Sequence, residues 1–189
     1  EERNNSGVYY KLTNDIYVNG DASTDWANFD WSNAAGLNQW LTVWNNSTDE
    51  QFNGNFDGCG YTVYGLYVNW GMDNDNVARI GLFPVTGPNA IIKNVKISGS
   101  YLEGDYAAGA LIGETTTNDA EDKAQVIGCY ADATVTVKAH QYAGGLVGVG
   151  QRTYFNNCGF TGTVATATSW NANGIMGISW SGGGEMDNC

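Results

Sequence analysis

A repeat of about thirty residues runs through positions 81–189, and it constrains the fold more than any other feature of the sequence. Its first landmark is a tetrapeptide of one small residue, two apolar residues and a closing Gly or Pro, found at 81–84, 110–113, 145–148 and 174–177. The second landmark is a two-residue step after each tetrapeptide: Asn94-Val95, Gly128-Cys129, Asn157-Cys158 and Asn188-Cys189. The first landmarks are 29, 35 and 29 residues apart, and the second are 34, 29 and 31 apart. Two landmarks that keep one phase predict stacked structural repeats.

Short segments that alternate between apolar and polar residues follow the second landmark. In 129–137 the apolar set is Cys129, Ala131, Ala133, Val135 and Val137, with Tyr, Asp and Thr residues between them. This period of two is typical of a half-buried strand. The 26 Gly residues supply the turns that many short strands need. The sequence therefore predicts an all-β fold, a right-handed parallel β-helix (β-solenoid) whose equivalent strands stack about 4.8 Å apart.

The second landmark predicts two columns of equivalent residues. Gly and Asn tolerate the left-handed backbone, so a corner column with positive φ is expected at Asn94, Gly128, Asn157 and Asn188. The residues that follow are expected to form a core column: Val95, Cys129, Cys158 and Cys189. Stacked side chains point the same way, so free, buried thiols are favoured over the alternative, disulfides. Cys59, between Gly58 and Gly60, is not assigned to this column.

The amino-terminal part of the chain differs from the repeats. Residues 1–80 are predicted to form a cap and the first coils with a Trp-rich insertion, and residues 81–189 the repeat coils, within one continuous domain. The tryptophans of the first part are Trp26, Trp31, Trp40, Trp44 and Trp70. A cap must bury large side chains, which favours a core role for Trp26, Trp31, Trp40 and Trp44. The alternative is that the five tryptophans bind a glycan or another partner, because aromatic faces stack on sugar rings.

The run from Tyr10 to Leu66 contains the opening Tyr-x-Leu-x-Asn-Asp-Ile and, further on, the segment Phe-x-Gly-x-Phe-Asp-Gly-x-Gly-Tyr-Thr-Val. Together with Gly-Gly-Leu-Val-Gly at 144–148 and Asn-Cys at 157–158, it resembles bacterial surface proteins with GLUG-type repeats over residues 8–189. The resemblance implies a right-handed parallel β-helix in large secreted or wall-attached proteins, including adhesin-like chains, and brings no catalytic residues. Pro84 and the Gly109-Ala110 and Asn173-Gly174 pairs depart from the pattern. We expect a secreted or cell-surface location, and either a fragment cut from a longer array or a structure completed by another chain.

Charge and spacing argue against several classes of function. The formal net charge is −12, from 8 Lys and Arg against 20 Asp and Glu, which disfavours nucleic acid and anionic lipid as partners. Runs of apolar residues are too short for a transmembrane helix. One His and the absence of a CxxC motif make a zinc site improbable. Asp21-x-Ser23-x-Asp25 and 73–76 have calcium-type oxygens without a full EF-hand loop, so we expect no cofactor.

The sequence favours a non-catalytic module over an enzyme. The single His140 is expected in an exposed loop. Glu103, Asp105, Glu114 and Asp132 offer the carboxylates that a glycosidase needs, but carboxylates are plentiful in an acidic chain and their presence alone discriminates little. The leading hypothesis is an adhesin-like binding surface or rigid spacer, with a host glycan or surface protein as partner and with the oligomeric state left open. A polysaccharide-active lyase or hydrolase is the alternative. Ice binding is a lesser one, suggested by outward threonines: Thr134, Thr136, Thr161 and Thr163.

Overall fold

The computed structural model of the chain describes residues 5–43, 50–72, 77–117, 122–167, 171–180 and 182–189. Within them, 24 short strands stack into five sheets, and a 3-10 turn is formed at Trp26–Asn28. Coil 1 contains β1 (Tyr9–Lys11), β2 (Ile16–Tyr17) and β3 (Thr42–Val43). Coil 2 contains β4 (Asn55–Asp57), β5 (Thr62–Tyr64), β6 (Tyr67–Asn69), β7 (Arg79–Ile80) and β8 (Phe83–Thr86).

The next coils repeat the five strands of coil 2 in the same order. Coil 3 contains β9 (Ile91–Lys93), β10 (Lys96–Ser98), β11 (Ser100–Gly104), β12 (Ala107–Gly109) and β13 (Ile112–Thr115). Coil 4 contains β14 (Ala124–Ile127), β15 (Tyr130–Ala131), β16 (Val135–Ala139), β17 (Tyr142–Gly144) and β18 (Val147–Gln151). Coil 5 contains β19 (Thr153–Asn156), β20 (Gly159–Phe160), β21 (Thr163–Thr166), β22 (Ala172–Asn173) and β23 (Met176–Trp180), and β24 (Glu185–Asp187) begins a sixth.

Equivalent strands of successive coils pair in parallel, which confirms the predicted parallel β-helix. Sheet I has the order β1-β4-β9-β14-β19-β24, sheet II β2-β5-β10-β15-β20, and sheet III β6-β11-β16-β21. Sheet IV has the order β3-β7-β12-β17-β22 and sheet V β8-β13-β18-β23. The exception is β3, which pairs with β7 antiparallel. A right-handed winding is the sense that backbone sterics impose on parallel crossovers.

The register places like side chains over one another through the interior. In sheet I, Phe56 lies opposite Ile92, Ile92 opposite Val126, and Val126 opposite Phe155. Ile92, Val126 and Phe155 belong to one continuous apolar core that extends through coils 2 to 5. Each fully buried aliphatic side chain of this kind stabilises the fold by about 1.5–3 kcal/mol. The stack therefore derives its stability from contacts between neighbouring coils.

The corner between sheets I and II has the left-handed backbone expected from the sequence. The φ angles are 55° at Asn94, 52° at Asn157, 53° at Asn188 and 61° at Gly128. Three of the corner amides donate to the coil that follows: Asn94 N to Ile127 O at 2.8 Å, Gly128 N to Asn156 O at 2.8 Å and Asn157 N to Asp187 O at 2.9 Å. The corner thus turns the chain without breaking the ladder between coils.

The prediction of one continuous strand over 129–137 is wrong, because a turn interrupts the segment in its middle. The segment is divided into β15 and β16 by a turn, in which Val135 N donates to Asp132 O at 3.1 Å. The Asp132 side chain accepts a hydrogen bond from Thr134 N at 2.9 Å, which is a typical turn contact of Asp. Ala133 is exposed as a result, and it is not part of the inward set.

Residues 9–43 and 50–52 cover the amino-terminal edge of all five sheets. β1 and β2 pair with sheets I and II, and β3 with sheet IV. Trp40 N donates to Tyr67 O at 2.8 Å at the edge of sheet III, and Phe52 N donates to Val85 O at 3.0 Å at the edge of sheet V. Exposed strand edges invite pairing with other chains, so this segment protects the end of the stack.

The tetrapeptide landmark forms the turn from sheet IV to sheet V and brings the two sheets into backbone contact. Leu111 and Leu146 fill the core at this turn, and both are fully buried. The closing Gly has no room for a side chain: a Cβ on Gly148 would lie 2.7 Å from both Ala108 N and Gly113 O. The outer faces of the two sheets are thereby brought close enough to form a second, smaller apolar cluster around Ala107, Tyr142 and Val149.

The packing of this turn gives a matched test at the first position of the tetrapeptide. A Cβ on Gly145 would overlap the Gly174 carbonyl oxygen and the Phe160 ring, whereas a Cβ on Gly174 meets nothing within 4 Å. We expect Gly145→Ala to lower the free energy of unfolding by about 2 kcal/mol or more and Gly174→Ala to leave it nearly unchanged. Chemical denaturation of both variants measures this. Equal effects would contradict the stacking of these two turns.

Candidate functional site

Two of the predicted tryptophans attach the insertion to the side of the helix. Trp26 stacks on Tyr64 with ring centroids 6.2 Å apart, and it lies so close to Gly99 that a Cβ there would overlap the indole. Trp31 stacks on Tyr67 at 5.8 Å with the rings 4° from parallel, and on Tyr101 at 6.1 Å. Both indoles are half-buried in these stacks. Their faces pack within the chain, but on the side of the helix and not in the buried core of a cap.

The other tryptophans have different surroundings. Trp40 packs against the core and donates from Nε1 to Leu82 O at 3.2 Å. Trp70 is 43% exposed, and its Nε1 donates to Thr42 Oγ1 at 3.1 Å. Trp44 lies outside the described residues. Trp70 is therefore the described tryptophan that retains most of its surface for a partner.

A polar cluster lies beside the Trp31 stack, on the outer face of sheet III. Lys138 Nζ donates to Tyr101 OH at 2.9 Å and to Glu103 Oε2 at 3.2 Å, and it lies 4.9 Å from the Tyr101 ring centre. Tyr101 OH also donates to Glu103. The hydrogen bond to Tyr101 raises the pKa of Lys138, and burial raises the pKa of Tyr101. These raised pKa values keep Lys138 as an ammonium and Tyr101 as a neutral phenol at neutral pH, so neither of the two is a base there.

An ion pair that sequence analysis missed connects the outer faces of sheets IV and V. Arg79 Nε donates to Glu114 Oε2 at 2.7 Å, and Gln151 Nε2 donates to Glu114 Oε1 at 3.0 Å. Glu114 is 1% exposed, and the guanidinium lies 4.3 Å from the Tyr106 ring centre. Burial raises the pKa of Tyr106 to about 12. Both oxygens of Glu114 are bound within the protein, so it supplies structure and not a free carboxylate.

The repeat contains the signal that locates this pair. Glu114 follows its tetrapeptide at the position held by Val85, Val149 and Ile178 in the other coils. One charged residue in an otherwise apolar column predicts a buried charge with a partner.

The catalytic candidates do not converge. His140 is partly buried, so the expectation of an exposed loop is wrong: its Nδ1 lies 3.8 Å from Oδ1 of the buried Asp105. Glu103 contacts Lys138 and Glu114 contacts Arg79. The fourth carboxylate, Asp132, is bound in its own turn. Each of the four carboxylates thus has a separate local partner.

The candidate calcium ligands also form turns. Asp21 Oδ1 accepts from Ser23 N at 2.8 Å and from Ser23 Oγ at 2.6 Å, and these bonds lower the pKa of Asp21. Asp25 accepts from Asn28 Nδ2 at 2.9 Å. The segment 73–76 lies outside the described residues. Within the described part of the chain, no three His, Cys, Asp or Glu residues are grouped so that they could hold a metal.

The outward threonines are not one array. Thr136 and Thr163 are neighbours in sheet III, but Thr134 and Thr161 lie between strands. Along the same file Thr136 is followed by Tyr101 and Tyr67. A flat threonine surface of the kind that ice binding would need is therefore interrupted.

The expected core column is a stack of free thiols that ends at the protein surface. Val95, Cys129 and Cys158 are buried, and Cys189 is exposed. The Cys158 thiol donates to Val126 O at 3.3 Å, and the Cys129 thiol to Ile127 O at 3.4 Å. A hydrogen bond from Cys129 lowers the pKa of Cys158 to about 7, and burial raises that of Cys129. Cys59 lies outside the stack, exposed, at a corner with a φ of 53°.

A groove lies at the amino-terminal end of sheet I, on the outer side of the helix. Its volume is about 550 Å³. Tyr9, which is 80% exposed, lies on β1, and the register places Tyr9 opposite Asn55 and Asn55 opposite Ile91. A parallel file of charges runs beside these residues, namely Lys11, Asp57 and Lys93. Sequence analysis did not single out this groove, because its side chains come from three coils that are far apart in the chain.

Comparison with known proteins yields two distant relatives. The chain is 32% identical over 80 residues to a putative Gly-rich membrane protein of Evansella cellulosilytica, covering 42% of this chain and 8% of that protein. It is 30% identical over 145 residues to Halomucin of Haloquadratum walsbyi, covering 72% of this chain and 1% of that protein. The chain thus spans less than a tenth of either relative. Neither a family model nor a solved structure matches it. The described residues include no helix with the length and apolarity needed to cross a membrane.

The thiol stack predicts two classes of cysteine reactivity. Cys59 and Cys189 are exposed, whereas Cys129 and Cys158 are enclosed by neighbouring coils, and a lowered pKa gives no reactivity without access. We expect a thiol reagent to label Cys59 and Cys189 rapidly in the folded protein and the other two only on unfolding. Mass spectrometry of labelled peptides identifies the sites. Rapid native labelling of Cys129 would contradict the buried stack.

The buried ion pair predicts an asymmetry between breaking and replacing it. Glu114→Leu leaves the Arg79 charge buried without its partner, so we expect the free energy of unfolding to fall by about 3–5 kcal/mol. The double variant Arg79→Met with Glu114→Leu should recover most of that loss. Lys123→Gln is the control, because the exposed Lys123–Glu185 pair should contribute less than about 1 kcal/mol. A double variant no more stable than Glu114→Leu would show that the pair is needed for folding itself.

Proposed function

We propose that the chain is a non-catalytic, GLUG-like module of a secreted or cell-surface protein, and that it presents its lateral surface to a glycan or protein partner in an adhesin-like role. The observation that carries the proposal is the parallel stack of coils 2 to 5, whose buried charges Glu114 and Arg79 are used for structure. The two relatives support it, because one is named as a Gly-rich membrane protein and the other as Halomucin, and because both are far longer than this chain.

The geometry favours a binding surface over a simple spacer. One coil of roughly thirty residues lengthens the stack by about 4.8 Å. The same residues as an extended chain would span about 100 Å. A parallel β-helix is therefore a costly way to gain distance, but it produces a stiff, wide surface of aligned outward side chains. Selection for such a surface explains the fold better than selection for length.

An adhesion assay tests the proposal. Beads coated with the protein should adhere to at least one surface of a glycan array or of extracellular-matrix proteins, and beads coated with an unrelated protein of equal negative charge should not. Adhesion to none of these surfaces would overturn the binding role.

The non-catalytic part is tested separately. Incubation with acidic and neutral polysaccharides should release neither reducing ends nor unsaturated products. Release from any of them would establish the lyase or hydrolase alternative instead.

A further inference from the structure

We infer that the groove at the amino-terminal end of sheet I binds an anionic polysaccharide through the carboxylate groups of uronate-type sugars. The inference depends on the adhesive part of the proposed function and adds a site and a ligand class to it. The groove has a volume of about 550 Å³ and is open to solvent. The inference stands on three of its features: its concentration of positive charge, the sorting of its side chains into two files, and the spacing of its lysines along the stack.

The first feature is the concentration of positive charge. The chain has only 8 Lys and Arg against 20 Asp and Glu, yet Lys11 and Lys93 both line this groove. Among the described residues, no carboxylate lies within 4 Å of the Lys11 ammonium. The Lys93 side chain is 45% exposed, although it pairs with Asp57 at 3.3 Å. Both ammonium groups are thus accessible to an anion from solution.

The second feature is the sorting of side chains into two files. Lys11, Asp57 and Lys93 form the charged file, and Tyr9, Asn55 and Ile91 form the neighbouring, less polar one. A sugar ring has polar edges and an apolar face of C–H groups. The charged file suits its carboxylate and hydroxyl groups, and the Tyr9 ring suits its apolar face. The groove therefore matches both surfaces of one sugar chain.

The third feature is the spacing along the stack. Lys11 and Lys93 lie two strands apart in sheet I, with Asp57 between them, which corresponds to about 9.6 Å. This distance is comparable with the length of a disaccharide unit. A uronate chain that runs parallel to the helix axis can place the carboxylates of alternate sugars at the two lysines.

Asp57 sets the strength of binding. Its Oδ1 accepts from Asn94 Nδ2 at 3.0 Å and from Cys59 N at 2.8 Å, and its Oδ2 faces Lys93. An approaching carboxylate competes with Oδ2 for Lys93 and is repelled by it. An amide in place of the carboxylate keeps an oxygen for the two hydrogen bonds and removes the competing charge.

The experiment measures affinity for soluble polygalacturonate by calorimetry at about 0.15 M salt, where the Debye length of about 8 Å screens the overall negative charge of the protein. We expect the double variant Lys11→Gln with Lys93→Gln to bind at least about tenfold more weakly. Tyr9→Ala should also weaken binding, and Asp57→Asn should strengthen it. Lys123→Gln is the matched control, because it removes a lysine outside the groove and should leave the affinity unchanged.

A sulfated polysaccharide and neutral dextran distinguish the ligand class. Preference for polygalacturonate over both supports the inference, and equal binding of the sulfated chain shows an anion site without selectivity for carboxylates, which overturns the ligand class. Binding that the lysine variants do not weaken places the site elsewhere, while the adhesive role remains. Failure of the wild type to bind polygalacturonate overturns this inference but not the proposed function, because the adhesion assay tests that function separately.

Discussion

Parallel stacking in register is the constraint on which the rest of the molecule depends. A single coil exposes both its backbone hydrogen-bonding groups and its apolar residues. Only a neighbouring coil can pair the backbone groups and bury the apolar side chains. The corner residues make the register possible, because at a φ of 55° Asn94 turns the chain while its amide still donates to Ile127 in the next coil. A residue that avoids the left-handed region would displace that amide and with it the pairing of sheets I and II.

The turn between sheets IV and V shows how stacking creates a second environment for polar groups. Glycines such as Gly148 let the two backbones touch, and their outer faces then enclose Arg79 and Glu114 instead of leaving them in water. Removing charges from water costs several kcal/mol, which the ion pair and the hydrogen bond from Gln151 offset. The ion pair therefore fixes how the two sheets meet. It adds little net stability, because apolar residues of similar size would pack there at little cost.

The sequence predicted those features that every coil repeats. The two-residue step keeps its phase through the repeats, and it predicts the fold, the corner column and the core column. The alignment of repeats on this step places Lys96 beside Tyr130, and the two residues are paired in sheet II. It failed where one coil departs from the pattern. Ala133 continued the alternation of apolar residues but lies in a turn set by Asp132. Glu114 is the charged exception in an apolar column of the repeat, but in an acidic chain one carboxylate among many does not by itself indicate a buried ion pair. The groove joins β1, β4 and β9, and their contacts appear only once the first coil has been aligned with the repeats.

The distribution of charge relates the surface to its partners. A net charge of −12 repels anions at long range, so an anionic partner must be held by short-range contacts in a restricted area. The end of sheet I meets this condition, because Lys11 and Lys93 are there and β19 and β24 at the other end of the same sheet present Asn156 and Asp187 in the same file. The file thus carries two lysines around Asp57 at one end and a single carboxylate, that of Asp187, at the other. An anionic chain bound along the axis would be attracted at one end and repelled at the other, which limits the contact to the first coils and gives the bound chain a defined position.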